Sequence, residues 1–314
     1  MPRTEPTLPH QSKDIFLTDG GTETWLLYKR GFELPHFSAF HLLNDPTATA
    51  AIREYYRSFA DIAVRRGTPF IFDSLTYRAS RDWGQLLGYS DAGLAEMNER
   101  CLDLYREIAV EAGLPQEQTV ISGCIGPKGD AYKTNATLTA DAAEAYHAEQ
   151  IATFKAAGAH IVTALTLNTS AEAIGIARAA QSAGIPSVIA FTLEKDRNLR
   201  SGETLREAIE TVDAATGAAP AYYMINCSHP VDFGPALEQA PWVNRIGGLR
   251  ANASTLDHGT LCQLGHLEEG DPNELSRQYA DLRDSYPAIN VFGGCCGTDH
   301  VHVDKIAGAL LVAA

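Results

Sequence analysis

Eight short apolar runs recur along the chain, each closing in small, polar or glycine residues, and most lead into a segment of helical periodicity. The first four are IFLTDGG from Ile15, PFIFDSLTY from Pro69, TVISGCIGP from Thr119 and HIVTALTLN from His160. The other four are SVIAFTLE from Ser187, YYMINCSHP from Tyr222, RIGGLRANA from Arg245 and INVFGGCCG from Ile289. Near-continuous apolar character suits strands buried on both faces, as in a parallel sheet. The intervening segments carry helix start and stop signals. One begins at a Thr or Asp in TLTADAAEAYHAEQ and ends at Gly158; another begins at Ser170, has Glu172 in its first turn and stops at Gly184 ahead of Pro186. DPTATAAIREYYRSFADIAVRRG and DAGLAEMNERCLDLYREIAVEAG follow the same plan. Eight strand–helix units without a composition break predict an α/β fold, a (β/α)8 TIM barrel in one domain over residues 14–314, behind an N-terminal tail of residues 1–13. A doubly wound open sheet is the alternative topology. The chain has 314 residues, 45% of them hydrophobic and 20% charged, enough for one such barrel.

A barrel of this kind carries its active site at the C-terminal ends of the strands. The residues that close the runs are then the candidates: Asp19, Asp73, Tyr77, Cys124, Thr166, Glu194, Asn226, Cys227, Asn252, Cys295 and Cys296. Three of them are thiols of unusual arrangement. Cys295 and Cys296 are adjacent, and consecutive Cα atoms about 3.8 Å apart fall below the usual span of a disulfide, so the pair calls for another partner. Cys227 ends the sixth run, and in a barrel the sixth and eighth strands are next-but-one neighbours, which lets all three sulfurs meet at one rim. Three thiolates with one open position describe a catalytic rather than a closed structural zinc site, and sulfur selects zinc over magnesium, calcium or manganese. Gly293 and Gly294 are expected to let the backbone bend so that both adjacent sulfurs face inward. Cys101, within a helical pattern, and Cys262 read as inert buried thiols, as does Cys124.

The net charge of −14 argues against nucleic acid or an anionic membrane surface as partner and favours a cationic ligand. The N-terminal stretch MPRTEPTLPHQSKD has no apolar signal core, and no apolar run approaches the roughly 20 residues of a membrane helix. A cytoplasmic protein is expected, in which thiols stay reduced. An oligomer is possible, since no segment marks or excludes assembly.

Several of these stretches together carry a resemblance. DGG at Asp19, TYRAS at Thr76, CIGPKGD at Cys124, INC at Ile225 and GGCCGT at Gly293 resemble the homocysteine S-methyltransferase family, from about Asp14 to the end of the chain. That resemblance implies a Zn2+ barrel whose three zinc cysteines fall on Cys227, Cys295 and Cys296. It also implies transfer of a methyl group from a small onium donor, S-methylmethionine or similar, to a small-molecule thiol, homocysteine, to give methionine. No side-chain nucleophile or general base is required. Asp19 matches the family aspartate that helps to hold the acceptor, and Asn226 precedes the zinc cysteine as it does in the family. The family's Glu-Thr pair at the end of the fourth strand is broken here: Leu165 stands where the glutamate belongs, with Thr166 next. Leucine cannot pair with an ammonium group, so Glu194 or Asp73 is expected to replace it, Glu194 before Asp73. Tyr77 completes the expected substrate contacts; with Trp25, Tyr28 and Trp83 it offers aromatic faces to a cationic methyl donor. The alternatives are a methyltransferase for another small thiol or selenol, and a catalytically silent zinc-binding barrel.

Overall fold

A computed structural model describes residues 5–133 and 137–311, with the Cys262 side chain outside the described set. The strands are β1 (Phe16–Thr18), β2 (Phe70–Asp73), β3 (Thr119–Ile125), β4 (Ile161–Leu167), β5 (Ser187–Phe191), β6 (Tyr222–Asn226), β7 (Ile246–Ala251) and β8 (Val291–Gly294). They close in sequence order, each parallel to its neighbours, with β1 paired to β8. This is the (β/α)8 barrel expected from the runs.

Alternation along the strands makes two layers. Phe70 and Phe72 point outward onto Phe59 and Tyr105 in the helical shell, whereas Ile71 points into an inner cluster with Phe16, Val120, Met224 and Val291. Residues 5–13 are not free of the barrel. Leu8 is buried in the inner cluster, and Asn290 Nδ2 donates to the carbonyls of Pro9, Ser12 and Asp14 at 3.0, 3.1 and 3.2 Å. The segment thereby closes the end of the barrel opposite the candidate site.

The helices follow local signals in the chain. Asp45 caps Pro46–Arg66 by accepting from Thr47 N at 2.7 Å, and Thr139 caps Ala140–Ala156 by accepting from Ala142 N at 3.2 Å. Each such cap contributes about 1 kcal/mol. Helix Ser170–Ala183 is capped by Thr169 and ends at Gly184 in the left-handed region, φ 65°. The alternation weakens after β6, where a four-residue helix, Pro230–Phe233, and short 3-10 turns replace a full helix. Pro230, Pro235 and Pro241 in that connection remove amide donors and keep a long helix from propagating. Among the described residues no helix is long and apolar enough to cross a membrane.

Candidate active site at the C-terminal mouth of the barrel

A cavity of about 300 Å³ opens where the strands end. Nine of the eleven strand-closing candidates line it; Glu194 and Asn252 instead line an adjoining pocket of about 40 Å³. Cys227, Cys295 and Cys296 meet in the cavity wall, their Sγ atoms all within 4.8 Å of one another. Tetrahedral ligation at about 2.3 Å per Zn–S bond places sulfurs about 3.8 Å apart, so small side-chain adjustments suffice to close this set on an ion.

The backbone that presents the sulfurs is tied strand to strand. Cys227 N donates to Arg250 O at 3.1 Å, Cys295 N to Ala251 O at 2.8 Å, and Ala253 N to Cys296 O at 3.0 Å. Thr298 Oγ1 bonds the Cys295 carbonyl at 2.8 Å, closing a turn whose Gly297 has φ 83°. Gly293 and Gly294 do not supply the bend expected of them, and neither has a positive φ. They serve close approach: a Cβ on Gly293 would lie 2.8 Å from the Asp19 carbonyl, and one on Gly294 would lie 2.6 Å from Thr298 Cβ. Strand β8 can sit against β1 and its own turn only without side chains there.

Two non-glycine residues at the site are held in the left-handed region, Thr166 at φ 62° and Cys227 at φ 54°. For a β-branched threonine this costs about 1–3 kcal/mol, which the surroundings must offset. Asn226 does so: its Oδ1 accepts from Thr166 N and its Nδ2 donates to Thr166 Oγ1, both at 2.8 Å. The register of β4 on β5 slips between Ala164 and Leu167, so Thr166 sits in a bulge that turns its hydroxyl toward Cys227 Sγ, 3.9 Å away. Tyr77 lies beside Thr166, with its phenol pushed well above the ordinary range by burial. S–H donation from Cys295 and Cys296 holds the Cys227 thiol well below its usual range. The same contact with Cys227 pushes Cys295 up to about 12, and Cys296 is raised as well. Three sulfur donors converging in one cavity wall suit a soft divalent cation. The residues present fit zinc.

The floor of the cavity is ionic. Arg250, on β7 and 4% exposed, reaches across the barrel with Nη2 at 2.5 Å from Asp19 Oδ1 and Nη1 against Asp73 Oδ2. Burial opposes its charge, but Asp19 and Asp73 more than offset this and hold it above the ordinary arginine range. Asp19 also accepts from Tyr56 Oη at 2.7 Å and Thr18 Oγ1 at 3.1 Å; burial raises its carboxyl against the pull of Arg250. Glu23 lines the same cavity from the turn after β1 and has no ion pair among the described residues. Burial pushes its carboxyl up to about 7.

Arg250 and Glu23 were not among the candidates. Arg250 carried one signal, a lone charge near the end of an apolar run; Glu23 looked like an ordinary first-turn residue after Gly-Gly. Glu194 is turned away from the cavity, with Oε1 2.8 Å from Arg200 Nε. Asp73, the other candidate to replace the missing glutamate, has its charge engaged by Arg250. Leu165 does line the cavity, as an apolar wall. Of the four aromatics expected at the mouth only Tyr77 lines it: Trp25 packs on Tyr55, Trp83 carries the Arg78 guanidinium on its face, and Tyr28 is exposed. Cys124 lies in the inner cluster and reaches the cavity floor, while Cys101 is fully buried in its helix.

The homocysteine S-methyltransferase family model matches residues 16–310. The chain belongs to the homocysteine S-methyltransferase family. This member is a methyltransferase acting in thiol chemistry, and its three clustered cysteines form a group able to hold a metal ion. No curated protein matches it. Among solved structures it is similar to the homocysteine methyltransferase MmuM from Escherichia coli in its oxidized form, with a TM-score of 0.73 and 19% identity over 96% of this chain and 99% of that one. The metallated form of MmuM matches with a TM-score of 0.70 and 19% identity, over 95% of this chain and 96% of that one. At this identity the likeness shows the shared fold.

Proposed function

We propose that this family member is a zinc-dependent S-methyltransferase that moves a methyl group from a small onium donor to homocysteine, giving methionine. The observation that carries the reading is the convergence of Cys227, Cys295 and Cys296 in the wall of one cavity. These three would hold the zinc, which would lower the pKa of an acceptor thiol bound to it.

The chain's own residues position and select. Asn226 fixes Thr166, whose hydroxyl faces Cys227 Sγ and limits how that sulfur can turn. Asp19 and Asp73 share the single cation of Arg250 and act through that network, keeping the cavity floor rigid. Glu23 takes the ammonium group of the acceptor, the role expected of Glu194, because among the described residues it is the half-buried carboxylate at the cavity without a cation partner. An ammonium entering that position holds Glu23 ionised and offsets its burial. Tyr77 offers its face to the donor cation, an attraction of about 0.5–2 kcal/mol. A reducing compartment such as the cytosol suits the reaction, since the acceptor must arrive as a thiol; the five described cysteines are themselves free.

The test is methionine formation by pure zinc-loaded protein given homocysteine and one donor at a time: S-methylmethionine, S-adenosylmethionine, betaine or methyltetrahydrofolate. Turnover with a sulfonium donor is expected. Turnover with methyltetrahydrofolate alone would contradict the small-cation donor, and turnover with none would contradict homocysteine as acceptor.

A further inference from the structure

Arg78 is the second arginine of the cavity, and its situation is opposite to that of Arg250. Its guanidinium carbon lies 4.0 Å from the centroid of the Trp83 ring and 5.9 Å from that of Tyr77, so the aromatic faces fix its plane. It is half-buried at the cavity wall, and its Nε is shut off from water with no hydrogen-bond partner. Among the described residues no carboxylate comes within ion-pair distance of it. The chain has 39 acidic against 25 basic side chains, and Asp19, Glu23, Asp73 and Asp130 line this same cavity. An arginine left without an acid in such surroundings is not explained by packing alone.

A guanidinium stacked on an indole keeps its N–H groups at the edge of the plane. Its Nε is enclosed, but neither Nη is among the buried polar atoms, so the two Nη groups form an end-on fork that matches the two oxygens of a carboxylate. We infer that Arg78 is the receptor for a substrate carboxylate, so that the cavity selects substrates that are amino or onium acids over their neutral analogues. With Glu23 as the unpaired anion and Arg78 as the unpaired cation, the cavity presents both charges that a zwitterion needs. The inference deepens the proposed methyl transfer and rests on it for the two possible sources of the carboxylate, the acceptor or the donor.

Binding of matched ligand pairs to zinc-loaded protein, measured by calorimetry, tests it. One pair is homocysteine and homocysteinamide; the other is S-methylmethionine and its amide. In the wild type the acid should bind more tightly than the amide in at least one pair, and that pair identifies the source. Arg78→Gln should weaken the acid of that pair at least about tenfold and leave the amide within about twofold, as expected for loss of a charged bidentate contact. Arg78→Lys, which keeps the charge without the fork, should fall between. Melting temperature and zinc content of both variants confirm that the fold is intact. An unchanged acid-to-amide ratio in Arg78→Gln, or no preference for the acid in either pair of the wild type, overturns the assignment. A ratio that collapses in a protein making no methionine would support Arg78 and count against the proposed reaction alone.

Discussion

Replacing Glu23 with glutamine should make the protein more stable at alkaline pH and change little in acid. The carboxyl is raised from 4.5 to about 7, chiefly by burial. At about 1.4 kcal/mol per tenfold change in proton affinity, the ionised form is disfavoured in the folded state by about 3 kcal/mol. Below pH 4.5 the group is protonated in both states and contributes nothing. Between 4.5 and 7 the unfolded chain ionises while the folded one keeps its proton, so stability falls as pH rises. Above 7 the folded protein carries the full penalty. Glutamine removes it while keeping the shape. For a chain of this length about 3 kcal/mol corresponds to about 5 °C in melting temperature. Zinc-loaded Glu23→Gln should therefore melt about 5 °C above the wild type at pH 8 and within about 1 °C of it at pH 5. Calorimetry at the two pH values measures this directly. Equal offsets at both, or a wild type more stable at pH 8, would refute the burial of an unpaired carboxyl at this position.

Other perturbations separate the roles of the remaining charges. Glu23→Gln should raise the KM for homocysteine about tenfold, whereas Glu194→Gln, which breaks a surface pair with Arg200 outside the cavity, should leave it within about twofold. Equal effects would return the ammonium contact to the Glu194 side. Arg250→Gln strands Asp19 and Asp73 without their cation; a loss of about 3–5 kcal/mol is expected, and a melting temperature within about 1 °C of wild type at pH 7 would show that the triad does not hold the floor. Metal analysis should find near-stoichiometric zinc that falls sharply in Cys295→Ser and in Cys296→Ser but persists in Cys101→Ser, whose thiol is buried inside a helix. Zinc retained in both site variants would rule out the trio.

The barrel was legible because burial on both faces writes a strand as an unbroken apolar run, and because caps such as Asp45 and Gly184 punctuate the helices. The connection after β6 was not, since its prolines speak against a helix without saying what replaces it. The three cysteines could be read because strand order alone brings β6 and β8 to one rim. Glu194 misled for a physical reason: β5 ends at Phe191, and the loop beyond it folds back, with Glu194 N bonded to Asn198 O at 2.9 Å. Periodicity stops where the strand stops, so it cannot aim a side chain three residues further on. Arg250 stayed hidden for a related reason, and Asp73, though singled out as a candidate, was read as an ammonium partner for the substrate. Each is a single charge at an inward position, and only closure of the barrel reveals that each is the other's partner. Gly293 and Gly294 were visible as glycines, but the neighbours that require them, Asp19 and Thr298, come from distant and local backbone that sequence does not juxtapose.

The central claim is that an acceptor thiol joins the three cysteines on one metal ion. Cobalt-substituted protein reports this directly through its thiolate-to-metal charge-transfer absorption. Adding homocysteine should raise that band by about one third, as four thiolates replace three, and homoserine, which lacks the sulfur, should not. A spectrum unmoved by homocysteine, or moved equally by homoserine, would contradict the account.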